Sequence, residues 1–336
     1  FGHVVLFLLL LVLVAAIGLV AWRVSNSEQG KEKNVTTNSS ELESFSFNAV
    51  GDFSSSENAD LVLNKIGESN SDFTLALGDL GYAGNGTEPA WCDFVKERIG
   101  DTHAFELVAG NHDDGTSDGD ILEYRKCLPD KLSVTGDYGI EYFFDHKTLV
   151  RIIMISPDID NHGFVYTNGT PHYEWLKTTI EDANTPWVVV GMHKNCITPG
   201  IKTCEIGADL LNLLVEKKVD LILQGHEHGY MRSKQLALST SCTSIVINET
   251  NPACIADEGI DFKKAVGSLL VISGAGGYDL REINLDDPEI GYFDAWNGSN
   301  VGNSYGFAKI TIDSSHLATE FVSASGTFTD SFEITK

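Results

Sequence analysis

The sequence predicts an α/β protein with layered sheets, carried behind an N-terminal transmembrane helix. Three observations lead there. Short apolar runs recur along the chain, each stopping at a glycine, with helical stretches between them. Three late segments, 306–313, 317–324 and 328–335, alternate apolar and polar residues as half-exposed antiparallel strands do. Residues 4–22 carry no charge, a run long enough to cross a bilayer as one helix. With 42% hydrophobic residues among 336, there is ample material for a large core.

In chain order, residues 1–23 read as a membrane anchor and residues 24–44, rich in Ser, Asn, Glu, Lys and Thr, as a flexible stalk. A cleaved signal peptide usually has a shorter apolar region and is the alternative, in which case the protein is secreted. The main domain spans 45–336. "SFNAVGD" reads as a strand running into a loop, 57–68 as a helix and "DFTLALGD" as a second strand. A helix over 88–99 precedes a third strand, "AFELVAGNHD". "YFFDH" and "TLVRIIMIS" form a hairpin. Helices over 171–183 and 205–218 precede "PWVVVGMH" and "VDLILQGHEH" respectively, and "SLLVISGAGG" adds another strand. The stretches 232–266 and 281–303 read as long excursions.

Charge and cysteine usage narrow the setting. A net charge of -25, from 48 acidic and 23 basic residues, argues against nucleic acid as a partner. The 6 cysteines include no C-x-x-C pair, so a zinc ribbon is excluded. Cys196 and Cys204 bracket one short loop and Cys242 and Cys254 another, with Cys92 and Cys127 remaining; the sequence leaves the pairing open. Arg23, Lys31 and Lys33 by themselves favour a cytoplasmic C-terminal side. Disulfide-forming cysteines and N-x-S/T sequons at Asn34, Asn38, Asn85, Asn168, Asn248 and Asn297 outweigh them, and place the main domain outside the cytoplasm.

The chemistry sits at the strand ends. Asp52 follows Gly51; Asp79 follows Gly78, with Tyr82 three residues on. Asn111 and His112 follow Gly110, His193 follows Gly191 and Met192, and His226 and His228 follow Gly225. A Gly-Asp pair alone is commonly a turn, and a lone histidine is commonly structural. The set is informative because ligands gather at the carboxyl ends of strands in open α/β sheets. Oxygen and imidazole donors without thiolate suit Fe, Mn or Zn. Seven donors exceed one four-coordinate zinc and suit two ions sharing a carboxylate. Few Lys or Arg accompany these loops, as expected where cations supply the positive charge. "DDGTSDGD" lacks the ligand spacing of an EF-hand, and "SGAGG" lacks the lysine and hydroxyl of a P-loop.

"GD" at 51, "GDLGY" at 78, "GNHD" at 110, "VGMH" at 190 and "GHEH" at 225 resemble the motif series of the purple acid phosphatases within the calcineurin-like metallophosphoesterases. The tyrosine of "GDLGY" marks that branch. "VISGAGGYD" and the C-terminal strands resemble its small, single-domain, tartrate-resistant type. The resemblance implies a layered β-sandwich flanked by helices, with 45–336 as the catalytic domain. It implies Asp52, Tyr82 and His228 on a first metal, Asn111, His193 and His226 on a second, and Asp79 bridging. It implies Fe(III) on the tyrosine side, with Fe(II), Zn(II) or Mn(II) as partner. His112 would contact substrate or protonate the leaving group. Asp114 stands where relatives carry a further histidine, so this chain departs from a two-histidine acid. The implied activity is hydrolysis of phosphomonoesters, of small molecules or proteins, by a metal-bound hydroxide. A phosphodiesterase or nucleotide pyrophosphatase on the same metals, and a non-catalytic cell-surface binding module, are the alternatives.

Overall fold

Strands that are apolar on both faces need cover on both sides, and the chain supplies it with two stacked sheets and two outer helical layers. The structure, a computed structural model, describes residues 43–82, 86–116 and 118–336. The expected membrane anchor and nearly all of the stalk fall outside these residues. Among the described residues, no helix is long and apolar enough to cross a membrane.

The chain runs β1 (Phe45–Val50), α1 (Glu57–Glu68), β2 (Phe73–Ala76), α2 (Glu88–Ile99), β3 (Ala104–Leu107) and α3 (Ile121–Cys127). It continues with β4 (Thr135–Asp137), β5 (Glu141–His146), β6 (Val150–Ile155), α4 (Pro171–Glu181), β7 (Trp187–Gly191), α5 (Ala208–Glu216) and β8 (Leu221–Gln224). Then follow β9 (Tyr230–Ser233), β10 (Gln235–Leu236), β11 (Ile255–Asp257), β12 (Asp261–Lys263), β13 (Leu269–Ser273), β14 (Phe293–Asn297), β15 (Tyr305–Ile312), β16 (His316–Ser325) and β17 (Ser331–Thr335).

The first sheet has the order β12-β17-β16-β15-β1-β2-β3, and the second β14-β9-β13-β8-β7-β6-β5-β4. Side-chain alternation sorts the core into layers. Phe47 and Ala49 of β1, Ile152 and Met154 of β6, and Leu221 and Leu223 of β8 meet between the sheets. Ile153, Val190 and Ile222 face the other way, under α4 and α5. Val50, Ala76 and Phe105 pack under α1, α2 and α3. In α1, Ala59, Val62, Leu63 and Ile66 are buried at helical spacing, and the Ser56 hydroxyl caps it by accepting from Ala59 N at 3.1 Å.

β1, β2 and β3 run parallel, as do β6, β7, β8 and β13. The alternating segments near the C-terminus are β15 to β17, an antiparallel meander. Three expectations need correction. The helix expected from 205 begins only at Ala208, because Glu205 N donates back to Asn195 O at 3.0 Å and holds this stretch in a loop. The excursions at 232–266 and 281–303 contain strands: β14 pairs with β9 at the edge of the second sheet, β10 with β11, and β12 with β17. The sequon at Asn297 is fully buried, its amide bonded to Ser304 N and O, so it offers no glycosylation site, whereas Asn168 and Asn248 are exposed. Asn34, Asn38 and Asn85 lie outside the described residues. The cysteines pair as Cys92–Cys127, Cys196–Cys204 and Cys242–Cys254.

Candidate metal centre

All the candidate ligands lie on one edge of the stack, where the parallel strands of both sheets end. The loops after β1, β2 and β3 bring Asp52, Asp79, Tyr82 and Asn111; the loops after β7 and β8 bring His193, His226 and His228. The glycines before them are there for contact. A Cβ on Gly110 would stand 2.2 Å from Asp79 Oδ1 and 2.3 Å from Asp79 N, and one on Gly78 2.6 Å from Gly110 N. Gly274, in the "SGAGG" turn, approaches so closely that a Cβ would meet Asp52 Oδ2 at 2.7 Å. Asp52, Asp79, Tyr82 and His226 all have positive φ, at 61°, 51°, 50° and 68°. That is strained backbone, which clusters at functional sites.

Two groups of donors form, joined by Asp79. In one, the Tyr82 hydroxyl lies 2.9 Å from Asp79 Oδ2, 3.2 Å from Asp52 Oδ1 and 3.4 Å from His228 Nε2. A single phenolic proton thus faces three acceptors. In the other, His193 Nε2 lies 3.2 Å from Asp79 Oδ1, 3.2 Å from Asn111 Oδ1 and 3.0 Å from His226 Nδ1. Ligand atoms of Asp79, His193 and His226 all fall within 4.8 Å of one another.

Outer partners orient each imidazole. His193 Nδ1 donates to Leu77 O at 2.8 Å, and His228 Nδ1 to Asp279 O at 2.9 Å. His226 Nε2 donates to Glu205 Oε1 at 2.8 Å. A carbonyl or carboxylate only accepts, so each ring spends one N–H outward and turns its other nitrogen inward, as a lone pair on His226 and His228 and against Asp79 Oδ1 on His193. Lone pairs and carboxylate oxygens, all buried, then converge with too few protons among them. A cation resolves that arrangement, and the donor set fits one in each group.

Protonation within the pocket is skewed accordingly. Burial pushes the Asp52 carboxyl up to about 7, only partly offset by His193. Asp79 lies well below the usual carboxylate range: burial opposes this, but the charge and hydrogen bond of His193 prevail. His193 is raised to about 9 against its own burial, chiefly by Asp79. Burial drives His226 down to about 4 and His228 to about 3. Burial, then the charges of Asp52 and Asp79, holds the Tyr82 phenol well above its usual range.

His112 stands at the mouth, its side chain 36% exposed, with Nε2 3.9 Å from Asp79 Oδ2. Its ring packs against Tyr82 at 4.5 Å between centroids, and Asp118 holds its Nδ1 at 2.5 Å. Asp114 closes a turn instead, accepting from Thr116 N at 2.9 Å and from the Thr116 hydroxyl at 2.6 Å. Asp120 caps α3. The "DDGTSDGD" carboxylates therefore hold separate places.

Several residues of the site escape sequence reasoning. Asp113 accepts from Asp79 N, Gly110 N and Leu80 N at 2.7, 2.8 and 3.0 Å, tying the β2 and β3 loops together. It was visible as the last letter of "GNHD", without a signal for this use. Tyr278 stacks on Tyr82 at 4.0 Å, and Arg281 donates to His226 O at 2.7 Å. Glu205 belongs to no motif.

The stacked sheets, with oxygen and imidazole donors at their shared edge, define a metallophosphoesterase-like protein. The family model for calcineurin-like phosphoesterases matches residues 46–230, and the chain belongs to that family. A second model, for the iron/zinc purple acid phosphatase-like C-terminal region, matches residues 269–331. Among curated relatives, "Probable inactive purple acid phosphatase 1" of Arabidopsis thaliana is 25% identical over 79% of this chain and 43% of its own length. "Fe(3+)-Zn(2+) purple acid phosphatase 12" of the same plant is 25% identical over 66% of this chain and 50% of its own. The chain spans about half or less of the length of such relatives. The purple acid phosphatase PPD1 of yellow lupin seeds superposes with a TM-score of 0.62 at 19% identity, covering 87% of this chain and 54% of that one. That likeness is one of fold.

Proposed function

We propose that the chain is a two-metal phosphohydrolase acting on phosphomonoesters. The observation that carries this reading is the convergence of inward lone pairs and carboxylates in two groups sharing Asp79. Asp52, Tyr82 and His228 would hold one cation, Asn111, His193 and His226 the other, with Asp79 between. The name of an iron–zinc relative supports an iron and zinc pair; in this reading iron sits on the tyrosine side, with iron, zinc or manganese opposite. A cation pair supplies positive charge for the phosphoryl oxygens and acidifies a water. His112, held at Nδ1 by Asp118 and open to solvent, presents its Nε2 at the mouth, 3.9 Å from Asp79 Oδ2, to carry a proton to the departing alkoxide oxygen. The buried carboxylates keep the pocket anionic, so that cations rather than basic side chains receive the substrate.

Three disulfides support an oxidising compartment, and with it an extracytoplasmic domain tethered by the apolar segment at 4–22. A second reading, a binding module without turnover, draws on one relative being described as probable inactive.

The test is turnover of p-nitrophenyl phosphate against its bis ester by the full chain, reconstituted with iron and zinc, beside His226→Ala. We expect monoester hydrolysis, lost in the variant, and a visible tyrosinate–iron band. Equal inactivity of both proteins at full metal occupancy establishes the binding module, and preference for the bis ester establishes a phosphodiesterase.

A further inference from the structure

Of the three imidazoles, His193 and His228 are oriented by backbone carbonyls, which no substitution removes. His226 alone among them relies on a side chain. Its Nε2 lies 2.8 Å from Glu205 Oε1, and its Nδ1 3.0 Å from His193 Nε2. An ionised carboxylate has no proton to give, so the ring hydrogen sits on Nε2 and the lone pair on Nδ1. Turning the ring over would set that lone pair against the carboxylate and aim the N–H at the cluster.

Glu205 is itself clamped. Lys194 Nζ lies 3.2 Å from Glu205 Oε2 and donates to Asp158 O at 2.6 Å. Glu205 N donates to Asn195 O at 3.0 Å, and the neighbouring Cys204 is bonded to Cys196. The loop between β7 and α5 is thus tied at its two ends, with the carboxylate at the closing point.

We propose that Glu205 is a positioning residue: clamped by Lys194 and the Cys196–Cys204 loop, it fixes the tautomer and orientation of His226 so that Nδ1 is the donor to a cation shared with Asn111 and His193. The inference rests on the two-cation reading and adds to it a residue outside the seven donors. Removing such an outer partner weakens metal binding by roughly 10–100-fold.

The experiment is competition for zinc between a chromogenic chelator and the full chain loaded with iron and zinc, with metal content and thermal midpoint measured alongside. Glu205→Ala should bind zinc roughly 10–100-fold more weakly while keeping its iron. Glu205→Gln should recover most of the loss, because its amide oxygen still accepts from Nε2–H. Lys194→Met, which unclamps the carboxylate without removing it, should show a smaller loss of the same kind, and serves if Glu205→Ala fails to fold. Zinc binding by Glu205→Ala within about twofold of wild type overturns the inference, as does a Glu205→Gln no better than Glu205→Ala. A wild-type chain that binds no second ion, whether zinc, manganese or iron, overturns the two-cation reading beneath it, so the two failures are told apart.

Discussion

The two sheets bring different chemistry to the same edge. The first delivers oxygen, from Asp52, Asp79, Tyr82 and Asn111; the second delivers nitrogen, from His193, His226 and His228. Their supports differ in the complementary sense. Backbone N–H groups hold the oxygen half: His226 N reaches Asp52 Oδ2 at 2.8 Å, and His112 N reaches Asp79 Oδ1 at 2.9 Å. Acceptors hold the nitrogen half. The oxygen half is strained and anionic, with three of its four donors at positive φ. Each half is electrostatically incomplete alone, so the centre forms only when the sheets stack. A site assembled from elements far apart in sequence is therefore coupled to the tertiary fold.

The largest effect should come from the residue common to both groups. Asp79→Asn should lose both cations and lower turnover by far more than the roughly 100-fold that marks loss of an outer partner. His228→Ala should lose one cation and keep the other. Metal content per chain, measured beside turnover, checks this. If both variants keep one ion, the oxygen half is not the shared half and the contrast between the sheets fails.

A smaller effect sharpens the point about strain. Gly110→Ala places a methyl where Asp79 N and Oδ1 already stand, with backbone on one side and a buried carboxylate on the other. We expect destabilisation of about 3 kcal/mol, read from urea unfolding, with activity falling further than stability. A similar substitution at Gly169, where a Cβ meets nothing within 4 Å, should be much milder despite its positive φ of 85°. Gly110 does not have a positive φ, so a loss there no larger than at Gly169 would mean that close approach to the centre is not what requires the glycine.

Much of this was legible because the strand ends repeat one signal. A buried apolar run, a glycine and a ligand-type residue mark β1, β2, β3, β7 and β8 alike, and the alternation of β15 to β17 is plain. What stayed hidden depends on contacts distant in sequence. β14 is recognisable as a strand only by its partner β9, which begins two residues after His228. Glu205 reads as the start of a helix until the disulfide and Asn195 bend it back. Asp113 sits inside a quoted motif, but its three backbone donors come from two different loops. Asn297 satisfies a sequon, yet its burial follows from the turn that reaches Ser304.

The oxygen-bearing sheet offers one more contrast, between two buried carboxylates, one in the loop after β2 and the other on the neighbouring β3. Asp79 faces imidazoles and is held below the usual range; Glu106 of β3 faces none and is pushed up to about 8, first by burial. Glu106 accepts from Lys131 N at 3.1 Å through Oε1, while its Oε2 has no hydrogen-bond partner among the described residues. Its proton is thus retained on folding, and between the unperturbed 4.5 and about 8 the folded chain binds more protons here than the unfolded chain does. Stability contributed at this position must then fall as pH rises through that window, by at most about 1.4 kcal/mol per pH unit. Glu106→Gln, isosteric and neutral throughout, should remove that slope, leaving wild type and variant closest near pH 5 and furthest apart near pH 8. Urea unfolding at several pH values measures it. A wild-type slope unchanged by the substitution would place the titrating group elsewhere, and with it the claim that imidazole partners are what separate Asp79 from an ordinary buried acid.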